Sequence, residues 1–263
     1  MYLIDVHSHI LHNIDDGAKN IDISIEMLTE SFNQGVRKLI LTPHFDDYLK
    51  CPVDTFLAKR ERRFLELKNE IEKRNAEVPE LYLGAEVGIT SDLSEVPEIE
   101  KLTIGNTNYI LLEMPYTIWN DWVFDSIFKL ITVKKVIPII AHIERYFGLI
   151  NPKKIIDLSQ MELYFQVNAD SITDKKQLGN VLRLINNDLV YFLGSDAHSL
   201  KSRPSMMKQA AEILENKVSK EYAQYLMINS NLMLDNKFVE RADDVNIPKG
   251  RLSTLNKLLY GKI

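Results

Sequence analysis

Cysteine is nearly absent. Cys51 stands alone among 263 residues, so no disulfide can form within the chain and a disulfide-stapled secreted fold is excluded. No apolar run approaches the roughly 20 residues a membrane helix needs. No positively charged start leads into an apolar core either, so neither a membrane span nor a secretion signal is expected. A basic excess is missing as well: the net charge of -5 disfavours nucleic acid, whose phosphates reward a positive surface. No Gly/Ser-rich linker, low-complexity tract or short-period repeat divides the sequence. The expectation is a soluble cytoplasmic protein, one domain over residues 1–263, a length routine for α/β barrels.

What is present is a regular alternation. Short apolar runs at 3–6, 38–42, 81–85, 109–112, 136–141, 163–167 and 190–194 read as strands. Amphipathic stretches at 21–33, 55–74, 121–134, 153–159, 176–187, 204–216 and 220–227 read as helices. The strands are apolar on both faces, as parallel strands covered by helices are. Seven βα units in succession favour a barrel over an open sheet. The basic run in 58–74 reads as the solvated face of a helix, with Glu–Lys/Arg pairs at i,i+4, rather than as an anion site. Met206 and Met207 read as core filler, and Cys51 as an incidental loop residue.

Histidine is scarce but concentrated. Of six, three fall in the first twelve residues. In β/α barrels the catalytic groups gather at the C-terminal strand ends, so the residue after each apolar run is informative. The first run delivers His7 and His9, "LILTPH" delivers His44, and "LYLGAE" delivers Glu86. "YILLE" ends in Glu113, "IPIIAH" in His142, and "YFLGSDAH" in Asp196 and His198. The sixth run differs, since "LYFQVN" ends in Asn168. His7 and His9, like Asp196 and His198, are two apart and point the same way on an extended chain. Ungrouped, such residues are costly at the edge of a core; a metal cluster makes them favourable. Imidazole and carboxylate without thiolate suit Mn, Fe or Zn rather than Ca or a Cys-type zinc site. With Asp16 there are nine candidates, more than one ion needs, and two or three ions fit if carboxylates are shared. His12 reads as a loop residue or one behind the ligands. Asp5 either orients an imidazole or makes a buried structural hydrogen bond.

The segments "DVHSHI", "TPH", "GAE", "LLEM", "AHIERY" and "SDAH" resemble the PHP (polymerase and histidinol phosphatase) superfamily, whose fold is a distorted seven-stranded, TIM-like β/α barrel. Within it, "DVHSHILHNIDDGAKN", "AHIERY" and "GSDAHSLKSRP" resemble the bacterial manganese-dependent protein tyrosine phosphatases that regulate capsule and exopolysaccharide synthesis. The resemblance implies a trinuclear Mn2+ site. In it His7, His9, Glu86 and Asp196 hold one ion with Glu86 bridging, Glu86, Glu113 and His142 a second, and Asp16, His44 and His198 a third. It also implies Arg145 and Arg203 as phosphate-binding arginines, and a phosphotyrosine protein, a bacterial tyrosine kinase tail, as partner.

The chemistry expected is attack by a metal-activated water, with the arginines forking onto the phosphoryl oxygens and Asp16 or His198 assisting the leaving phenolate. A cysteine-dependent mechanism is excluded, because it needs an arginine six positions after the cysteine and Leu57 stands there. In "PYTIWNDWVF", Tyr116 and Trp119 could present rings to the substrate, Trp119 being the expected rim residue; Trp122 and Phe124 turn to the core. Two alternatives stay open: a histidinol-phosphate or other small phosphomonoesterase of the same superfamily, and a non-catalytic, metal-stabilised kinase-binding protein.

Overall fold

In the computed structural model, residues 2–46, 49–240, 242 and 244–249 are described. The first apolar run forms β1 (Leu3–Ser8), buried along its whole length. Asn20 then accepts from the backbone N–H of Ile23, capping α1 (Ile21–Asn33). The run 38–42 becomes β2 (Val36–Leu41), followed by the two-residue β3 (His44–Phe45). Pro43 between them has no N–H to donate, and the ladder breaks there. After α2 (Val53–Arg74) the third run is likewise divided, into β4 (Glu80–Leu83) and β5 (Glu86–Gly88). The chain continues through β6 (Tyr109–Glu113), α3 (Asp121–Thr132), β7 (Ile137–Ile140), α4 (Pro152–Leu158) and β8 (Tyr164–Asn168). It ends with α5 (Ala169–Thr173), α6 (Leu178–Asn186), β9 (Phe192–Gly194), α7 (Met207–Lys217) and α8 (Lys220–Leu234).

Every strand pairing is parallel. The strands fall into two sheets, ordered β1-β2-β4 and β3-β5-β6-β7-β8-β9, where seven continuous strands were expected. The fold is thus mixed α/β around a curled parallel sheet. At the break in the third run, the Gly84 N–H donates to the Leu41 carbonyl and the Glu86 N–H to that of Pro43. The Arg60 guanidinium donates to the Gly84 carbonyl at 2.6 Å. Arg60 is therefore buried, while other charges of α2 pair along its surface, Glu70 with Arg74 at i,i+4 as expected and Arg63 with Glu66 at i,i+3. Met207 lies in the core and Met206 packs against it. The short α5, immediately after β8, has no counterpart in the expected helices.

Register then lines up the strand ends that matter. His44 sits opposite Glu86, and Glu113 opposite Gly88. The free edges of β1 and β9 are drawn together: the Asp196 N–H donates to the His7 carbonyl at 2.8 Å and the His9 N–H to that of Ala197 at 2.9 Å. Gly194 makes that approach possible, since a Cβ there would lie 2.6 Å from the His7 Cβ. Gly17 is required for the same reason, because a Cβ would overlap the His9 carbonyl. His142 and Asp196, each two residues past its strand, turn into the left-handed region (φ 34° and 51°), a conformation costing non-glycine residues about 1–3 kcal/mol. Among the described residues no helix is long and apolar enough to cross a membrane.

Candidate metal centre

Glu86 is the hub of the strand ends. One carboxylate oxygen, Oε2, lies 3.1 Å from Nε2 of both His7 and His9 and 3.2 Å from Nδ1 of His44. The other, Oε1, lies 2.9 Å from His142 Nε2. Glu113 follows at 3.6 Å from the same His142 nitrogen. On the far side His198 Nε2 is 3.3 Å from the exposed carboxylate of Asp16, which also lies 3.7 Å from His44 Nε2. Three groups have ligand atoms within 4.8 Å of one another: His9, Asp16, His44 and His198; His7, His9 and Asp196; His44, Glu86 and Glu113. With His142 held on Glu86, all nine predicted ligand positions converge on one strand-end cluster.

The proton positions show what this cluster lacks. His9 Nδ1 lies 2.8 Å from the Asp15 carboxylate, and His198 Nδ1 lies 2.9 Å from the Asp196 carbonyl. Both partners accept, so each Nδ1 carries the proton and each Nε2 turns toward the cluster. His198 Nε2 is buried without a hydrogen bond, as is His44 Nδ1, whose approach to Glu86 lacks hydrogen-bond geometry. The Nε2 atoms of His7 and His9 face each other at 3.0 Å. Lone pairs and carboxylate oxygens crowd one another with few protons to share, and divalent cations satisfy them at once. The nitrogen and oxygen donor set fits a first-row divalent ion.

Protonation of the imidazoles is the other way to balance these carboxylates. Burial opposes ionisation of Glu86, but His7, His142 and His9 outweigh it and hold the carboxyl well below the usual range. Burial likewise opposes the charge on Asp196, yet His7, His9 and Arg145 drive it far down. Burial, and then repulsion from Glu86, pushes Glu113 up to about 7. His9 is raised to about 10 because its bonds to Asp15 and Glu86 overcome burial. His198 is lowered to about 4 by burial and by the charge of His9.

Asp196 divides its two oxygens. Oδ1 faces His9 and His198, each at 3.4 Å, and His7 at 3.6 Å. Oδ2 accepts from Arg145 Nη2 at 2.6 Å and from Arg203 Nη2 at 2.7 Å. Both predicted arginines therefore stand at the edge of the cluster, partly exposed and aimed at one point.

The CpsB/CapC family of capsular polysaccharide synthesis matches this sequence over residues 3–235. The chain belongs to that family. Tyrosine-protein phosphatase CpsB of Streptococcus agalactiae is 31% identical over 250 residues, 90% of this chain and 100% of the relative. Tyrosine-protein phosphatase YwqE of Bacillus subtilis is 30% identical over 260 residues, 95% of this chain and 98% of the relative. A solved structure from work on YwqE of Bacillus subtilis and CpsB of Streptococcus pneumoniae, described as unique metal-dependent tyrosine phosphatases, superposes with a TM-score of 0.80. It is 28% identical, covering 91% of this chain and 97% of that one.

Within this CpsB/CapC chain Trp119 departs from expectation, and the readings left open for Asp5 and His12 are resolved. Trp119 is fully buried rather than on the rim, because its large ring packs against Tyr146 and its indole N–H is satisfied by the Pro115 carbonyl at 3.1 Å. Tyr116 is the exposed ring of that loop, stacked at 20° to His142 with centroids 6.4 Å apart. Asp5 orients no imidazole; it accepts from the backbone N–H groups of Ser195 and His7, stitching β1 to the segment after β9. His12 bonds Glu66 of α2, away from the cluster.

Sequence reasoning also passed over Asp15 and Gln166. Asp15 accepts from His9 and from the His44 N–H, and Gln166 Oε1 lies 3.2 Å from His7 Nδ1. A usable signal existed for the second: a glutamine inside an otherwise apolar strand must find buried partners.

Proposed function

We propose that this chain is a metal-dependent protein tyrosine phosphatase that hydrolyses phosphotyrosine on a bacterial tyrosine kinase tail controlling capsular or exopolysaccharide synthesis. The observation that carries the reading is Glu86 touching four imidazoles while buried imidazole nitrogens of His44 and His198 have no hydrogen-bond partner. Kinship with proteins named tyrosine-protein phosphatases supports the choice of substrate.

We assign His7, His9, Glu86 and Asp196 to one ion, Glu86, Glu113 and His142 to a second, and Asp16, His44 and His198 to a third. Mn2+ is the metal proposed, with two or three ions bound. We further read the two sheets as one distorted seven-stranded barrel, a single PHP-type domain acting in the cytoplasm. Supporting this, β2 and β3 lie either side of Pro43, β4 and β5 either side of Gly84 and Ala85, and Ser8 bridges to Ala197 across the closing edge.

When bound, the ions supply an acidified water as nucleophile and neutralise phosphoryl charge. Arg145 and Arg203, converging from one side, fork onto the phosphoryl oxygens and stabilise the charge that builds there. Tyr116 offers its face to the substrate phenyl ring. The proton given up by the attacking water would pass to the departing phenolate, relayed by the free oxygen of Asp16 at the exposed mouth or assisted by His198, and the modest basicity of the phenolate makes this help small.

The test is turnover of a phosphotyrosyl peptide beside histidinol phosphate, before chelation, after it, and with Mn2+ restored. Preference for the peptide, lost on chelation and regained with Mn2+, is expected. Preference for histidinol phosphate would favour the biosynthetic alternative, and binding without turnover the non-catalytic one. Full activity in exhaustively metal-free protein would refute the reading.

A further inference from the structure

β8, formed by the sixth apolar run, ends in no metal-type residue, yet it places two fully buried amides, Gln166 and Asn168, against the cluster. Their orientation follows from chemistry. The backbone N–H of His142 lies 2.9 Å from Gln166 Oε1, and a main-chain N–H can only donate, so the oxygen must face it. That same oxygen lies 3.2 Å from His7 Nδ1, which must then carry a proton. The other end of the amide, Nε2, donates to Asn168 Oδ1 at 2.8 Å. Asn168 Nδ2 in turn donates to Asp196 Oδ2 at 2.9 Å, and that ionised oxygen, shared with two arginines, can only accept. The chain of hydrogen bonds is fixed in direction at both ends, by an obligate donor and an obligate acceptor. Neither amide can flip without breaking it.

We propose that Gln166, held by Asn168, is a positioning residue that locks His7 in the Nδ1–H tautomer and so presents its Nε2 lone pair to a divalent ion. The inference rests on the metal reading above. Close packing supports it: a Cβ at Gly194 would lie 2.6 Å from the His7 Cβ and 3.0 Å from Gln166 Nε2, so β9 leaves this pair little room to rearrange. The relay also ties His7 to Asp196 and, through the His142 N–H, to the end of β7. Groups behind the ligands of a metal site act in this way, and losing one typically costs 10–100-fold in affinity.

The experiment measures Mn2+ affinity by competition with a fluorescent chelator for the wild type, Gln166→Met and Gln166→Glu. Methionine keeps the length and removes the acceptor, so affinity should fall by ~10–100-fold. Glutamate keeps an acceptor for His7 Nδ1 and the His142 N–H but sets its second oxygen against Asn168 Oδ1, so it should lose clearly less affinity than methionine. Gln166→Met binding like the wild type, or Gln166→Glu losing as much as Gln166→Met, would overturn the proposal. Nitrogen-15 spectra of the zinc-loaded wild type give a readout that needs no variant. His7 should carry its proton on Nδ1; a proton on Nε2 overturns the proposal even if both variants fail to fold. A wild type that binds no divalent ion overturns the metal reading and this inference together. One that binds ions but fails the other tests overturns this inference alone.

Discussion

Arg145→Ala should separate phosphate binding from metal binding. Arg145 enters the 3-10 turn after β7, and its Nη2 sits 2.6 Å from Asp196 Oδ2. Removing the side chain leaves that oxygen with Arg203 at 2.7 Å and Asn168 at 2.9 Å, so Asp196 is not stranded as an unpaired buried charge. Arg145 is itself partly exposed and the buried Asp196 keeps its other donors, so the loss to the fold is that of one hydrogen bond, about 1 kcal/mol. That is a fall in Tm of ~2–4 °C for a chain of this size. Catalysis should suffer more. Deleting one donor that stabilises transition-state charge costs ~10²–10³ in rate, about 2.7–4 kcal/mol. The loss should be similar for a phosphotyrosyl peptide and a minimal aryl phosphate, which present the same phosphoryl group. Metal content should stay at the wild-type level, because a guanidinium cannot coordinate a cation. Elemental analysis, melting curves and kinetics on both substrates decide it. Metal loss in Arg145→Ala, or near-normal turnover by it, would mean that phosphate is held elsewhere.

Tyr116→Ala should lower kcat/KM for aryl phosphates relative to alkyl phosphates by ~2–10-fold, the scale of one aromatic contact of about 0.5–1.5 kcal/mol. Trp119→Ala should destabilise the protein by ~3–5 kcal/mol without shifting that ratio, since its ring is buried. Gly194→Ala should overpack β9 against His7, costing ~1–3 kcal/mol in thermal unfolding and weakening metal binding; a variant with wild-type Tm would disprove the close approach. Burial pushes Glu144 up to about 7, above its ordinary 4.5. The folded state therefore holds this proton more tightly than the unfolded chain. The resulting stability is complete below about pH 4.5 and is lost as pH rises through about 7. Glu144→Gln should abolish that loss, and metal-free wild type and variant with parallel stability–pH curves would refute the shift.

Periodicity and strand-end residues carried much of this protein in the sequence. Parallel strands buried on both faces need continuous apolar runs, so their ends are legible as the first polar residue after each run. That local rule alone selected His7, His44, Glu86, Glu113 and His142, because a strand has one exit and its side-chain alternation is fixed. It could not see the breaks at Pro43 and Gly84, where single backbone groups, the missing proline N–H and the Arg60 bond to a carbonyl, divide a run that reads as one. It also misjudged Trp119, since whether an indole faces solvent depends on which carbonyl its own loop folds back to offer. The partnerships of Gln166 and Asn168 lay furthest out of reach. Asp15 reaches His9 through the local turn after β1, whereas the bonds from Asn168 to Asp196 and from Gln166 to His7 span 28 and 159 positions and form only in the closed sheet. A sequence records which groups exist and how they alternate along a strand; which lone pair meets which proton is set by tertiary distance.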